Sequence, residues 1–493
     1  MPQATVYAAT ITGVEARSVE VQADVSSGLP GFSIVGLADT AVQEARDRVR
    51  SAVRAAGFEF PNARVLVNLA PAPLRKHGTG FDLPIALAIL TATRQIPTRL
   101  TESAAAVGEL ALDGSIRPVA GALAHALAAS RSGYDLIGPS GALGPAQSVD
   151  GLTCRCLNSL QDLRQGSLND APKHAAPRSE INAPDLSEVA GHEGAKRVLE
   201  IAAAGGHNLL MIGPPGSGKT LLARRLPGIM PPLDKSERLD SALVHSVAGL
   251  DETTVLDGVR PFRAPHHTCS IAGLAGGGSP PRPGEMSLAH NGVLFLDELP
   301  EFSPSALQTL RQPMEDGALT LVRAEGRVRY PARFTLVAAM NPCPCGFLGD
   351  PERPCKCAEG NVRRYAARIG GPLMDRMDLV VRVDRIDPDL LLGAPPGEAT
   401  SGVRERVLRT REFARLRGGL SAALSGAPLL NVCRLTPTTA RLFSETARSH
   451  HLSGRAVTRI LRVARTLADM NQSPEVLAEH LAEAVGYRGW DNE

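Results

Sequence analysis

Eight consecutive residues carry the most specific chemistry in this sequence. Gly213, Pro214, Pro215, Gly216, Ser217, Gly218, Lys219 and Thr220 match G-x-x-x-x-G-K-[ST] in full. Glycines let successive backbone N–H groups converge on phosphate oxygens, and the start of a following helix adds partial positive charge. Lys219 would neutralise the β- and γ-phosphates of a nucleoside triphosphate, and Thr220 would hold Mg²⁺. Further along, Val293-Leu-Phe-Leu-Asp297-Glu298 sets two acids at the end of an apolar run. Asp297 would hold the metal through water, and Glu298 would orient and polarise the attacking water. Alone, such a run also fits a helix-capping acid. Downstream of a phosphate loop it completes a triphosphate-hydrolysing pair.

Two further constellations stand out. Cys343-Pro-Cys345 and Cys355-Lys-Cys357 put four thiols within fifteen residues. Four thiolates close a tetrahedral Zn²⁺ site and would staple a Pro/Gly-rich insertion that cannot build a core of its own. The C-x-C spacing is tighter than the usual C-x₂-C, and reduced structural thiols or a redox pair are the alternatives. Residues 320–337 read as a β-hairpin turning near 324–326, with cations at Arg323, Arg327, Arg329 and Arg333 and a Tyr330 that stacks or packs. Such cations suit sequence-independent, salt-sensitive contacts to nucleic-acid phosphates; solvated edge arginines that discourage sheet aggregation have the same pattern. His266-His267 lacks a third ligand and reads as structural.

Regular elements must position these groups. An apolar run at 208–212 supplies the strand before the phosphate loop, and 221–226 opens the helix after it. Residues 293–296 read as a buried parallel strand, and 334–340 as another that ends at Asn341. The pattern is multidomain α/β. An α+β block spans 1–170, a proline-rich linker 171–184, the nucleotide-binding core 185–392, a second linker 393–402, and a helical block 403–493. With 43% hydrophobic and 21% charged residues, the chain is neither disordered nor a small disulfide scaffold. The net charge of +2 excludes a polycation, although residues 401–470 hold thirteen arginines against four acids. Nothing at the start reads as a secretory signal, the apolar run at 83–92 is about half a bilayer span, and eight cysteines suggest no disulfide framework. A cytoplasmic location without membrane contact is expected.

Together these residues resemble an AAA+ ATPase, more narrowly its magnesium-chelatase-like branch, and within that the YifB/ComM family. The likeness runs through GHEGAKRVLEIAAAGGHNLLMIGPPGSGKT (191–220), RPFRAPHHT (260–268), GEMSLAHNGVLFLDELPEF (284–302), AAMNPCPCG (338–346), LMDRMDL (373–379) and SGRAVTRILRVARTLADM (453–470). It implies Asn341 as the sensor that holds the attacking water, where the residues alone allow a strand-ending turn. It implies Arg376 as an arginine finger entering the neighbouring subunit's site, against an ion pair with Asp375 or Asp378. It implies Arg455 as the second sensor of a C-terminal lid, and residues 189–192 as the stretch that packs on adenine. A finger that acts in trans requires a ring, and similar proteins form homohexamers. The hairpin would face the central pore, with the glycine-rich stretch 261–283 as a second insertion.

The resemblance further implies a DNA motor on single-stranded or branched DNA, a helicase promoting branch migration when transformed DNA is integrated, with recombination proteins as further partners. The alternative is a remodelling ATPase for protein complexes, as in magnesium chelatase or MoxR-like proteins. Residues 1–170 resemble a Lon-protease/S5-like (ChlI-like) domain. Gly80 stands at its serine position and Leu123 at its lysine position, which leaves no nucleophile–base pair. A binding or assembly module is expected there.

Overall fold

The computed structural model describes residues 3–171, 184–323, 326–386 and 397–488. The expected linker at 171–184 lies, but for its two ends, outside the described residues, as do residues 393–396 of the second.

In the first block, β1 (Gln3–Thr12) and β2 (Glu15–Ser26) pair antiparallel. Val19, Val21, Ala23 and Val25 alternate with more exposed neighbours, the period of a half-buried strand. The strands β3 (Gly31–Val35), β4 (Arg64–Ala70), β5 (Ala104–Ala106), β6 (Asp135–Gly138), β7 (Cys154–Cys156) and β8 (Asn169–Asp170) complete a mixed eight-stranded sheet. Its order is β8-β7-β6-β5-β1-β2-β4-β3. Helices α1 (Thr40–Ala55) and α2 (Asp82–Ala92) accompany it, Asp39 capping α1 by accepting from the Val42 amide at 2.9 Å. Every residue of α2 is buried, which accounts for its all-round apolar sequence. Among the described residues no helix is long and apolar enough to cross a membrane.

The second block carries β9 (Leu209–Ile212), β10 (Phe262–Arg263), β11 (Val293–Leu296), the hairpin β12 (Ala318–Arg323) and β13 (Gly326–Pro331), then β14 (Thr335–Met340) and β15 (Leu379–Arg382). Among the described residues the hairpin strands pair only with each other; the other five form a parallel sheet in the order β10-β11-β14-β9-β15. The hairpin expected across 320–337 is thus two elements. Strand β13 ends at Pro331, the Ala332 amide still donates to the Gly317 carbonyl at 2.9 Å, and the chain re-enters the five-stranded sheet at Thr335. Leu209, Met211, Val293, Phe295, Val337 and Ala339 fill one apolar cluster. Their neighbours Leu210, Ile212, Leu294, Leu296, Leu336 and Ala338 fill the other. A sheet covered on both faces needs such continuous apolar strands.

Helix α3 (Ala122–Arg131) of the first block docks on α6 (Lys235–Ala248) of the second, past α4 (Glu193–Gly205) and α5 (Lys219–Ala223) in the chain. The Gly121 amide donates to the Ser246 carbonyl at 2.7 Å, and Leu123 and Ala126 share an apolar cluster with Leu233 and Ala242. The C-terminal block is helical: α7 (Thr400–Leu416), α8 (Pro437–Ser449), α9 (Gly454–Met470) and α10 (Ala478–Gly486). Helix α7 starts three residues before the expected boundary at 403. Both α7 and α9 lie on α4, joining the apolar cluster on that side of the sheet.

Candidate functional site

Strand β9 delivers the chain into residues 213–220 at the carboxyl edge of the parallel sheet, where open α/β sheets bind ligands. A Cβ on Gly213 would stand 1.9 Å from the Val383 carbonyl oxygen, so only glycine fits. Gly216 and Gly218 have φ of +77° and +84°, the left-handed region that glycine adopts without strain. The Lys219 ammonium is buried within the loop, donating to the carbonyls of Gly213 at 2.7 Å and Pro214 at 2.9 Å. Burial pushes it below its ordinary value, and the nearby Asp297 charge opposes that shift. His192 lies beside the loop, its Nε2 3.4 Å from where a Cβ on Gly218 would be.

Two neighbouring strands bring the remaining groups to this edge. Strand β11 ends just before Asp297, whose Oδ2 accepts from the Thr220 hydroxyl at 2.7 Å. That pair offers the hard oxygen ligands that Mg²⁺ takes, beside a buried ammonium and a glycine cradle suited to phosphates. The residues fit ATP and Mg²⁺. Strand β14 ends before Asn341, whose Oδ1 is 3.4 Å from Lys219 Nζ. Glu298 sits at φ +51°, an uncommon conformation for a residue with a side chain. Its carboxylate is 3.0 Å from His267 Nδ1. The His267 ring lies 4.1 Å from that of His266 and edge-on to Phe302. The sequence reading of His266-His267 as structural did not foresee the contact with Glu298, because the sheet order that sets β10 beside β11 leaves no local mark.

Arg376 and Arg455 lie elsewhere. At the amino edge of the sheet Asn208 ties three segments together, accepting from the Leu336 amide at 2.9 Å and donating to the Arg376 carbonyl at 3.0 Å. Its own amide donates to Asp378 Oδ2 at 3.2 Å. Arg376 there pairs with Glu315 rather than with Asp375 or Asp378. Arg455, on the first turn of α9, pairs with Asp375 at 2.8 Å. Both arginines line a cleft of about 870 Å³ between the sheet edge and the C-terminal helices. The structure therefore gathers Lys219, Thr220, Asp297, Glu298 and Asn341 at one edge, and Arg376 with Arg455 at the other.

The comparisons with known proteins agree on one family. Residues 185–391 match the family model described as magnesium chelatase, subunit ChlI. Residues 21–141 match subunit ChlI of Mg-chelatase, and residues 397–488 the C-terminal part of that subunit. The chain is 43% identical over 499 residues to the uncharacterized protein YifB of Escherichia coli, covering 100% of this chain and 98% of that one. It is 42% identical over 501 residues to the competence protein ComM of Haemophilus influenzae, covering 99% and 98%. The chain belongs to the YifB/ComM family of magnesium-chelatase-like AAA+ ATPases. Membership makes ATP with Mg²⁺ the ligand expected at the carboxyl-edge site.

Within this family member the cysteine loop follows Asn341 directly. The Sγ atoms of Cys343, Cys345, Cys355 and Cys357 all lie within 4.8 Å of one another. Backbone amides of Phe347 and Lys356 hold the Cys345 thiol down to about 6, while burial pushes Cys343 up. On the hairpin, Arg327 and Arg329 are exposed and Val328 and Tyr330 are buried, Tyr330 donating its hydroxyl to the Pro281 carbonyl at 2.8 Å. Tyr330 thus packs. The backbone of Arg323 pairs with Gly326 at the hairpin tip. Arg333 lies past the hairpin and lines the amino-edge cleft.

The arginine-rich third block proves mostly self-engaged. Ten of the thirteen arginines between residues 401 and 470 bond to carboxylates or backbone carbonyls of the protein. Arg465 is wholly buried and, with Arg417, surrounds Asp469.

Proposed function

We propose that this chain is an ATP-hydrolysing motor that works as a homohexameric ring on single-stranded or branched DNA, driving branch migration during integration of transformed DNA. ATP is the substrate. Lys219 would neutralise its β- and γ-phosphates, the glycine cradle would hold them through backbone amides, and Thr220 with Asp297 would hold Mg²⁺. The ion, when bound, supplies Lewis-acid polarisation of the phosphoryl oxygens. Glu298 orients and polarises the attacking water, and Asn341 steadies it. Arg376 and Arg455 stand at the opposite sheet edge from Lys219, so in a head-to-tail ring they would face the next protomer's phosphates; an arginine donated this way is worth roughly 10³–10⁵ in rate.

The observation that carries the DNA assignment is the hairpin β12–β13, which precedes the Asn341 strand and sets Arg327 and Arg329 on one exposed face. The likeness to a competence protein supports it. A protein-remodelling ATPase is the second reading, favoured by Val322, which is 60% exposed on the same hairpin. ATPase assays with and without single-stranded, forked and three-stranded DNA test the choice. DNA-stimulated turnover and salt-sensitive strand displacement are expected; turnover indifferent to every DNA tested overturns the motor.

A further inference from the structure

We infer that Cys343, Cys345, Cys355 and Cys357 bind one Zn²⁺, and that this ion clamps the phosphate loop and Asn341 in place. The thiol geometry supports the first half. Cys343 Sγ lies 3.3 Å from Cys345 Sγ and 3.6 Å from Cys355 Sγ, and Cys345 Sγ lies 3.6 Å from Cys355 Sγ. Zn–S bonds of about 2.3 Å in a tetrahedron put sulfurs about 3.8 Å apart, whereas a disulfide needs about 2.05 Å. The four thiols converge on one point from the two ends of a loop that contributes little to any core.

The second half follows from what the loop touches. Cys343 is two residues from Asn341 and wholly buried. Gly346, at φ +87°, turns the chain so tightly on the phosphate loop that a Cβ there would stand 2.6 Å from Pro215 Cδ. Beyond it, Arg382 donates to the Gly349 carbonyl at 2.6 Å, and the guanidinium groups of Arg353 and Arg385 lie over the Phe347 ring at 5.5 and 5.4 Å. Arg382 ends β15, whose continuation at Val383 presses on Gly213. The knuckle therefore braces the phosphate loop from the sensor side and from the β15 side. With no apolar core to hold it, the ion supplies the rigidity that positions both.

The inference rests on the ATPase assignment and not on DNA. The test is metal analysis and nucleotide binding on the full chain, purified without added metal or chelator. About one zinc per chain is expected, with none in a Cys345→Ser/Cys357→Ser variant. Affinity for a fluorescent ATP analogue should fall roughly tenfold in the variant, and equally in wild type stripped with a zinc chelator, returning when Zn²⁺ is restored. The stripped wild type carries the test should the variant not fold, with circular dichroism confirming retained helix. A wild-type chain that neither carries nor takes up zinc overturns the site. Zinc-free protein that binds nucleotide like wild type overturns the clamp. Wild type that holds zinc yet binds no nucleotide leaves the zinc site standing and instead refutes the ATPase assignment.

Discussion

Glu298 is held in a backbone conformation that non-glycine residues seldom take, with its carboxylate turned to His267. Strained residues cluster where a group must be presented in one direction. If Glu298 polarises the attacking water as proposed, Glu298→Gln should bind ATP normally but turn over roughly 10² times more slowly or worse. His267→Ala should do the opposite: a contact this exposed is worth up to about 1 kcal/mol, so freeing the carboxylate should raise basal turnover by at most about fivefold. Steady-state ATPase and nucleotide titration separate the two outcomes. His290 allows a pH prediction. Burial and the Arg333 charge push its imidazole down to about 4, and its Nδ1 accepts from the Arg333 amide at 3.0 Å, which needs the neutral ring. Unfolded, the same ring protonates near 6.5. Stability from this group is complete above that pH and lost as pH falls from about 6.5 to 4, because only the unfolded chain takes up the proton; between pH 7 and 5 the loss is about 2 kcal/mol. Denaturation midpoints at both pH values should converge in His290→Asn.

Hairpin β12–β13 alternates exposed arginine with buried Val328 and Tyr330, so its outer face can change without loss of packing. Replacing Arg327 and Arg329 by Ala should weaken DNA binding evenly across sequences and reduce the salt slope by roughly two, leaving DNA-free ATPase unchanged. Fluorescence anisotropy over a salt series measures this. The elements also show what sequence reading reaches. The phosphate loop and Asp297–Glu298 were legible because each is contiguous and its strand or helix context is local. The arginines of α7 and α9 were legible as charge but not as direction: whether Arg465 meets solvent or Asp469 depends on side-chain packing that periodicity does not encode. The hairpin boundary was misjudged because β13 and β14 are separated only by a short break after Pro331. His267 and Glu298 meet through the parallel order β10-β11, a long-range pairing with no local mark.

At the scale of the molecule, the five-stranded sheet separates the glycine cradle at its carboxyl edge from Arg376 and Arg455 at its amino edge. In a ring each protomer would then hold one ATP and complete the site of another. Lys219→Ala and Arg376→Ala chains should each be nearly inactive alone, yet an equal mixture should regain about a quarter of wild-type turnover, since a random ring pairs an intact cradle with an intact finger that often. A mixture no more active than its components would refute donation between protomers. Were the proposed ring to form, such two-ended protomers would also impose an order on assembly. Any unclosed arc would leave one cradle at its terminus with no guanidinium to receive, so the last protomer to join would bring two sites to life at once. A filament threaded through the gap would be enclosed before that final pair could fire.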